Sequence, residues 1–139
     1  MKALDAELLA ERAGVLETHL RRIRESLPAE ARGFERGTDA ADVVSLHLLF
    51  SIQLVLDLSI FACIHFGLQA PASYDDAVAR LAYAGRIDES LAGRLEKAAA
   101  LREVLVHAFD DLDAASIYRA ARVLPDDLRA FLANLSASL

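Results

Sequence analysis

Leu9, Ala13, Leu16, Leu20, Ile23 and Leu27 recur at spacings of four, three, four, three and four. That rhythm marks one face of an α-helix. It predicts a first helix from about Ala3 to Leu27, ended by Pro28, whose ring fixes φ and removes a backbone donor. The stretch PAEARGFERGTD then reads as a polar, glycine-containing connection. A second helix begins at Thr38 or Asp39, either of which can cap it, and runs to Gly67. It is apolar nearly all round, so it is either buried or membrane-spanning. A span needs about 20 apolar residues. Asp57 leaves only 14 uncharged residues from Val43 to Leu56, and an aspartate at mid-bilayer costs about 2.5–3.5 kcal/mol. The pattern predicts the central helix of a bundle, partly covered by a second copy of the chain, and no membrane.

Three more helices follow. A short one runs from about Tyr74 to Ala84, with Ser73 as its cap and Gly85 at its end. A fourth runs from near Asp88 to Val106 or His107. A fifth starts after Asp113 and heads for Leu135. In it, Ile117, Ala121, Leu124, Leu128, Phe131 and Leu135 keep one phase straight across Pro125. That phase predicts a single kinked helix, although Pro125 followed by two aspartates is also the signature of a fresh start. No run alternates apolar and polar positions. The expected fold is all-α, an up-and-down bundle of about five helices with residues 1–139 as a single domain.

Composition sharpens this picture without changing it. Apolar residues make up 55% and charged residues 26%, which excludes a disordered chain. Fifteen basic against 21 acidic residues, net −6, exclude a protein that wraps nucleic acid by phosphate neutralisation. They leave room for an enzyme that touches RNA at one small site. The lone Cys63 permits no intrachain disulfide and no cysteine pair for zinc; it reads as a small buried hydrophobe. His19, His47, His65 and His107 lack the i, i+4 spacing of a metal-binding helix. No metal and no cofactor are expected. The opening MKALDAELLAER carries acids at once and lacks an apolar core, so a secretory signal is not expected and the cytoplasm is the expected compartment.

The informative chemistry lies on the fourth helix. Its apolar stripe reads Leu91, Leu95, Ala98, Arg102, Leu105 and Phe109. Arg102 therefore holds a position that periodicity assigns to the core, and must find a partner or a cleft. His107 follows five residues later, about 140° round the helix. The two can flank one groove. Equally, Arg102 can pair with Asp57 or Glu103, and His107 can bond the last carbonyls of its helix. Arg94, Lys97, Arg119 and Arg122 read mainly as solvated faces, with contact to RNA backbone as the alternative.

The segment SYDDAVARLAYAGRIDESLAGRLEKAAALREVLVHAFDDLD resembles the HepT-like branch of the HEPN superfamily. Arg102, the four residues EVLV and His107 match that family's Arg-x4-His motif. Leu112–Asp113 match the hydrophobic–Asp pair that follows it. Gln53 and Asp57 match a Gln-x-x-x-Asp pattern on the long helix, and Ser73–Tyr74 the start of the short one. The resemblance implies a dimeric, metal-independent ribonuclease toxin whose Arg102 and His107 line a composite cleft at the two-fold axis. Arg102 would hold the scissile phosphate and His107 would act as general acid/base. Asp57 on the buried helix could orient them, but reads more readily as a satisfied core carboxylate. Its implied partners are RNA, a second copy of the chain and a small nucleotidyltransferase antitoxin. The alternative is a non-catalytic substrate-binding subunit of a two-component nucleotidyltransferase.

Two positions depart from the family. Glu103 stands where asparagine is usual, and a carboxylate there either repels phosphate or orients Arg102. Phe109 stands where the family has the tyrosine that the antitoxin modifies, and a phenyl ring offers no oxygen. Phe109 is expected to pack instead, with Tyr118 as a possible relocated acceptor.

Overall fold

In the computed structural model, which describes residues 3–139, five α-helices follow one another: α1 (Ala6–Ser26), α2 (Asp39–His65), α3 (Tyr74–Tyr83), α4 (Glu89–His107) and α5 (Ala114–Ala137). Met1 and Lys2, at the head of the N-terminal segment considered for a signal, lie outside the described residues. Among the described residues there is no β-strand.

Helix α2 organises the bundle and packs against all four other helices. Val44, Leu48, Ile52, Val55 and Leu56 are wholly buried on it. By length and composition alone this helix could cross a membrane, yet half of its most apolar stretch is buried inside the bundle. Two of its buried hydroxyls bond within the helix: Ser51 donates to the His47 carbonyl at 2.7 Å and Ser59 to the Leu56 carbonyl at 2.6 Å, whereas the buried Ser45 hydroxyl has no hydrogen-bond partner among the described residues. Thr38 caps the helix, its side chain accepting from the Ala41 amide. Ser73 does the same for α3.

The expected boundaries hold with small physical corrections. Helix α1 begins at Ala6 rather than Ala3 because the Asp5 carboxylate accepts from the Leu8 amide at 2.8 Å and closes the first turn there. Helix α5 runs unbroken through Pro125, as its phase predicts. The fresh start at Asp126 is not taken: Leu124, Leu128 and Phe131 bury one continuous face, which outweighs the single backbone bond that Pro125 cannot make. The polar connection after Pro28 is anchored more firmly than its composition suggests. Phe34 is buried against Tyr118, with ring centroids 5.8 Å apart. The Tyr118 hydroxyl is directed at the carbonyls of Pro28, at 3.0 Å, and Ala29, at 2.9 Å. The Tyr118 hydroxyl is thus turned to the backbone of the α1–α2 connection.

Candidate functional site: an arginine–carboxylate–histidine array on helix α4

Arg102 sits two-thirds of the way along α4, where the apolar stripe turns toward α2. Its side chain is 21% exposed, so most of the guanidinium has left water and requires partners. Gln53 on α2 supplies one, its Oε1 accepting from Arg102 Nε at 2.8 Å. The Gln53 amide then donates through Nε2 to Asp57 Oδ1 and to the Tyr74 hydroxyl, both at 2.8 Å. The Tyr74 hydroxyl in turn donates to Asp57 Oδ1 at 3.0 Å. The ring of Tyr74 lies beside the arginine, with the guanidinium carbon 5.6 Å from its centroid. Side chains from three helices therefore meet at Arg102 in one hydrogen-bonded network. The Gln53 and Asp57 positions picked out in the sequence converge here, with Asp57 reaching the arginine only through Gln53.

Glu103 contacts both candidate residues. One carboxylate oxygen accepts from Arg102 Nη1, and the other lies 3.7 Å from His107 Nε2. His107 is the last residue of α4 and its side chain is 68% exposed. The Glu103–His107 spacing is i, i+4, which places the two on one helix face. Arg102, Glu103 and His107 thus form one array, graded from half-buried guanidinium to exposed imidazole. The carboxylate occupies one edge of the guanidinium.

Phe109 has left the helix. Helix α4 ends at His107, and Phe109 opens a 3₁₀ turn. Its ring packs on the core beneath Arg36, whose guanidinium carbon is 4.8 Å from the ring centroid. Arg36 also donates to the carbonyls of Asp110 and Leu112, which straps the α1–α2 connection across the α4–α5 connection.

The other basic residues separate. Arg94 bonds Asp127 Oδ1 at 2.8 Å, an α4–α5 tie to a carboxylate that is otherwise buried. Arg122 lies against the Tyr118 ring and Arg119 bonds Ser116. Lys97 is exposed. None of the four joins the Arg102 array. Cys63 is buried, its thiol pushed up by burial and donating to the Ala77 carbonyl at 3.3 Å.

One feature was missed by sequence reasoning. His19 on α1 and His47 on α2 meet with their Nδ1 atoms 3.0 Å apart, and Phe50 lies against both rings. Burial holds both imidazoles below their usual proton affinity; the partner His47 adds to this at His19, and Arg22 adds to it at His47. At this separation one ring donates to the other. His19 and Phe50 belong to an open groove of about 590 Å³ between α1 and α2, which Arg12, Gln53, Asp57 and Phe61 also line. Its far wall is therefore the Gln53–Asp57 end of the Arg102 network. No sequence spacing signals this pair, because its members stand 28 residues apart on different helices. Among the described residues no three histidine, cysteine or acidic side chains gather as a metal site.

This fold recurs in solved structures. It matches a tri-AMPylated HEPN toxin of Shewanella oneidensis in complex with an MNT antitoxin, with 20% identity over 96% of this chain and 99% of that one and a TM-score of 0.85. It matches a chain of a toxin–antitoxin crystallised with AMP-PNP, with 19% identity over 94% of this chain and 99% of that one and a TM-score of 0.84. It also matches YutE, a cytosolic protein of unknown function from Bacillus subtilis, with 20% identity over 100% of this chain and 93% of that one and a TM-score of 0.81. No curated protein matches the chain. The family model described as Ribonuclease HepT-like matches residues 16–135. With that model spanning five helices and the Arg102–His107 array alike, the chain belongs to the Ribonuclease HepT-like family.

Proposed function

We propose that this chain is a metal-independent endoribonuclease toxin, acting in the cytoplasm and paired with a small nucleotidyltransferase antitoxin. The observation that carries the reading is the half-buried Arg102, held by Gln53 and joined through Glu103 to the exposed His107. A guanidinium held at Nε by Gln53 can turn its Nη groups to a phosphate once Glu103 releases Nη1, and Arg suits that ligand by its planar fork. His107 at the solvent end removes the ribose 2′-OH proton or protonates the leaving 5′ oxygen. The 2′ oxygen attacks the neighbouring phosphorus, the P–O5′ bond breaks, and a 2′,3′-cyclic phosphate remains. Arg102 stabilises the charge that builds on the non-bridging oxygens. The attacking group restricts the substrate to RNA. Glu103 must yield its hold on Arg102 to the incoming phosphate.

The active form is a two-fold dimer. Leu46, Phe50 and Val106 are large apolar side chains that stay exposed. Leu46 and Leu49 flank a shallow groove with Leu105 and Phe109, and Leu105 lies one helical turn beyond Arg102 on α4. A second copy laid on this strip covers it and brings two Arg102–His107 arrays toward one axis.

The deciding test is expression without an antitoxin, followed by incubation of the purified chain with cellular RNA in EDTA. Cleavage that His107→Ala and Arg102→Ala abolish, in variants that still melt cooperatively, is the expected result. A folded chain that cuts nothing, with Glu103→Asn equally inert, overturns the reading. The second reading, a non-catalytic binding subunit of a two-component nucleotidyltransferase, then takes over. The observation in its favour is that Glu103 already occupies Arg102.

A further inference from the structure

We propose that Tyr74 is the nucleotidyl acceptor of this chain, in the role that Phe109 cannot fill. The inference rests on the toxin–antitoxin reading above and extends it to regulation. The structurally similar Shewanella toxin is tri-AMPylated in complex with its antitoxin, so a fold of this kind does receive AMP. This chain has three tyrosines. Tyr118 is buried with its hydroxyl against two backbone carbonyls, and so cannot attack anything without unfolding its surroundings. Tyr83 is 98% exposed, but it borders a depression lined by Glu89 and Glu96, whose charges repel a triphosphate.

Tyr74 alone has a hydroxyl prepared for attack. A phenol is a weak nucleophile until a base takes its proton. The Tyr74 hydroxyl points its proton at Asp57 Oδ1, 3.0 Å away, and Gln53 Nε2 donates to the same oxygen at 2.8 Å, fixing the rotamer. Asp57 is exposed and Tyr74 half-buried, so the oxygen stands at the rim of the network and not inside the core. Arg102 lies beside the ring, 5.6 Å from its centroid, as a cation for the phosphate that approaches.

The step balances with ATP as co-reactant, bound by the nucleotidyltransferase. The Tyr74 oxygen bonds to the α-phosphorus while Asp57 takes the phenolic proton. The α–β anhydride bond breaks and pyrophosphate leaves with its electron pair. Asp57 then releases the proton to solvent. The product is a tyrosyl phosphodiester whose negative charge lies against Arg102. It occupies the guanidinium that the RNA phosphate requires and places an adenosine across the mouth of the site. Modification at Tyr74 thus blocks the site directly.

The test incubates the chain with ATP, Mg²⁺ and the small nucleotidyltransferase of the proposed pair, and reads intact mass and peptide mapping. One adenylyl group on the peptide containing Tyr74 is expected. Tyr74→Phe should remove it, and Asp57→Asn should slow its addition by about 10²-fold, the lower end of what a general base supplies. Phe109→Tyr serves as the control acceptor, and melting curves confirm that each variant folds. A wild-type chain left unmodified while Phe109→Tyr is modified overturns the proposal. So does a gain on Tyr83, a gain that survives Tyr74→Phe, or no gain in any variant. RNA cleavage by the unmodified chain in EDTA is measured in parallel. Cleavage without modification rejects Tyr74 and leaves the ribonuclease reading standing; modification without cleavage does the reverse.

Discussion

Gln53 Oε1 accepts the Arg102 Nε hydrogen at 2.8 Å, joining the core helix α2 to the helix that carries the candidate chemistry. The bond does two things. It compensates a guanidinium that the apolar stripe draws out of water, and it fixes which edge of that guanidinium faces the cleft. Gln53→Leu removes the acceptor and also the donor to Asp57 and Tyr74. RNA cleavage should fall by about 10²-fold, the scale of a misplacement near 1 Å. Arg102→Lys should not substitute for the arginine, since an ammonium lacks the planar fork. Single-turnover rates on a defined RNA decide both; a Gln53→Leu enzyme at wild-type rate contradicts the positioning role.

Glu103 accepts from Arg102 Nη1, so under the proposed function it stands in competition with the RNA phosphate. Glu103→Asn removes the negative charge and keeps a polar side chain of similar size. Cleavage should rise and KM for RNA should fall, with the gain greatest at low ionic strength, where charge repulsion is least screened. A fall in rate would mean that alignment by the carboxylate outweighs repulsion.

The apolar strip beside the site predicts assembly. Phe50→Glu or Val106→Glu should convert a dimer to monomers in sedimentation equilibrium and abolish cleavage together, because both side chains are exposed and apolar on the face proposed to meet a second copy. A wild-type chain that sediments as a soluble monomer at micromolar concentration removes this expectation.

His19 and His47 give stability a pH dependence. Burial lowers the proton affinity of both in the folded state. The unfolded chain, with ordinary imidazoles near pH 6.5, therefore binds more protons as pH falls. Stability should be full above about pH 6.5 and decline as pH drops below it. Urea melts across this window should show the decline, and a His19→Gln/His47→Gln chain should show a flatter profile. An equal slope in both would assign the effect to other groups.

Arg94→Ala should destabilise the fold without touching RNA chemistry. Asp127 is 9% exposed, and its Oδ2 lacks a hydrogen-bond partner among the described residues, so its one strong bond is to Arg94. Loss of that partner should cost about 1–3 kcal/mol, the penalty for a buried polar group left unmade. Denaturant melts measure it. A loss of cleavage in a variant of unchanged stability would instead restore Arg94 to the RNA surface.

Helix number, order and most boundaries were legible because each helix carries a one-face pattern or a cap within its own sequence. Pro125 is instructive: phase over six apolar positions carried more weight than one local breaker. Arg102 was legible for a related reason, as a charge where periodicity demands an apolar residue. The Glu103–His107 contact had a local signal in its i, i+4 spacing. The His19–His47 pair, the Tyr118 lock on the Pro28 and Ala29 carbonyls, and the Arg94–Asp127 tie had none. Each joins polar side chains on separate elements, and such meetings depend on how helices rotate against one another, which hydrophobic phase sets only coarsely. Phe109 belongs with these. Its phase continues the α4 stripe, while the chain turns out of the helix two residues before it and the ring settles beneath Arg36.

The Gln53–Arg102 bond spans 49 positions of sequence, and the Arg36 strap to Asp110 spans 74. Contacts of such range close only after the intervening chain has been made and collapsed. During synthesis, α1 to α3 can fold against one another while the residues of α4 are still unmade or confined in the ribosome. The Arg102 array gains its shape only when the far end of the bundle emerges. A site assembled in this way exists only once α2, α3 and α4 have all left the ribosome.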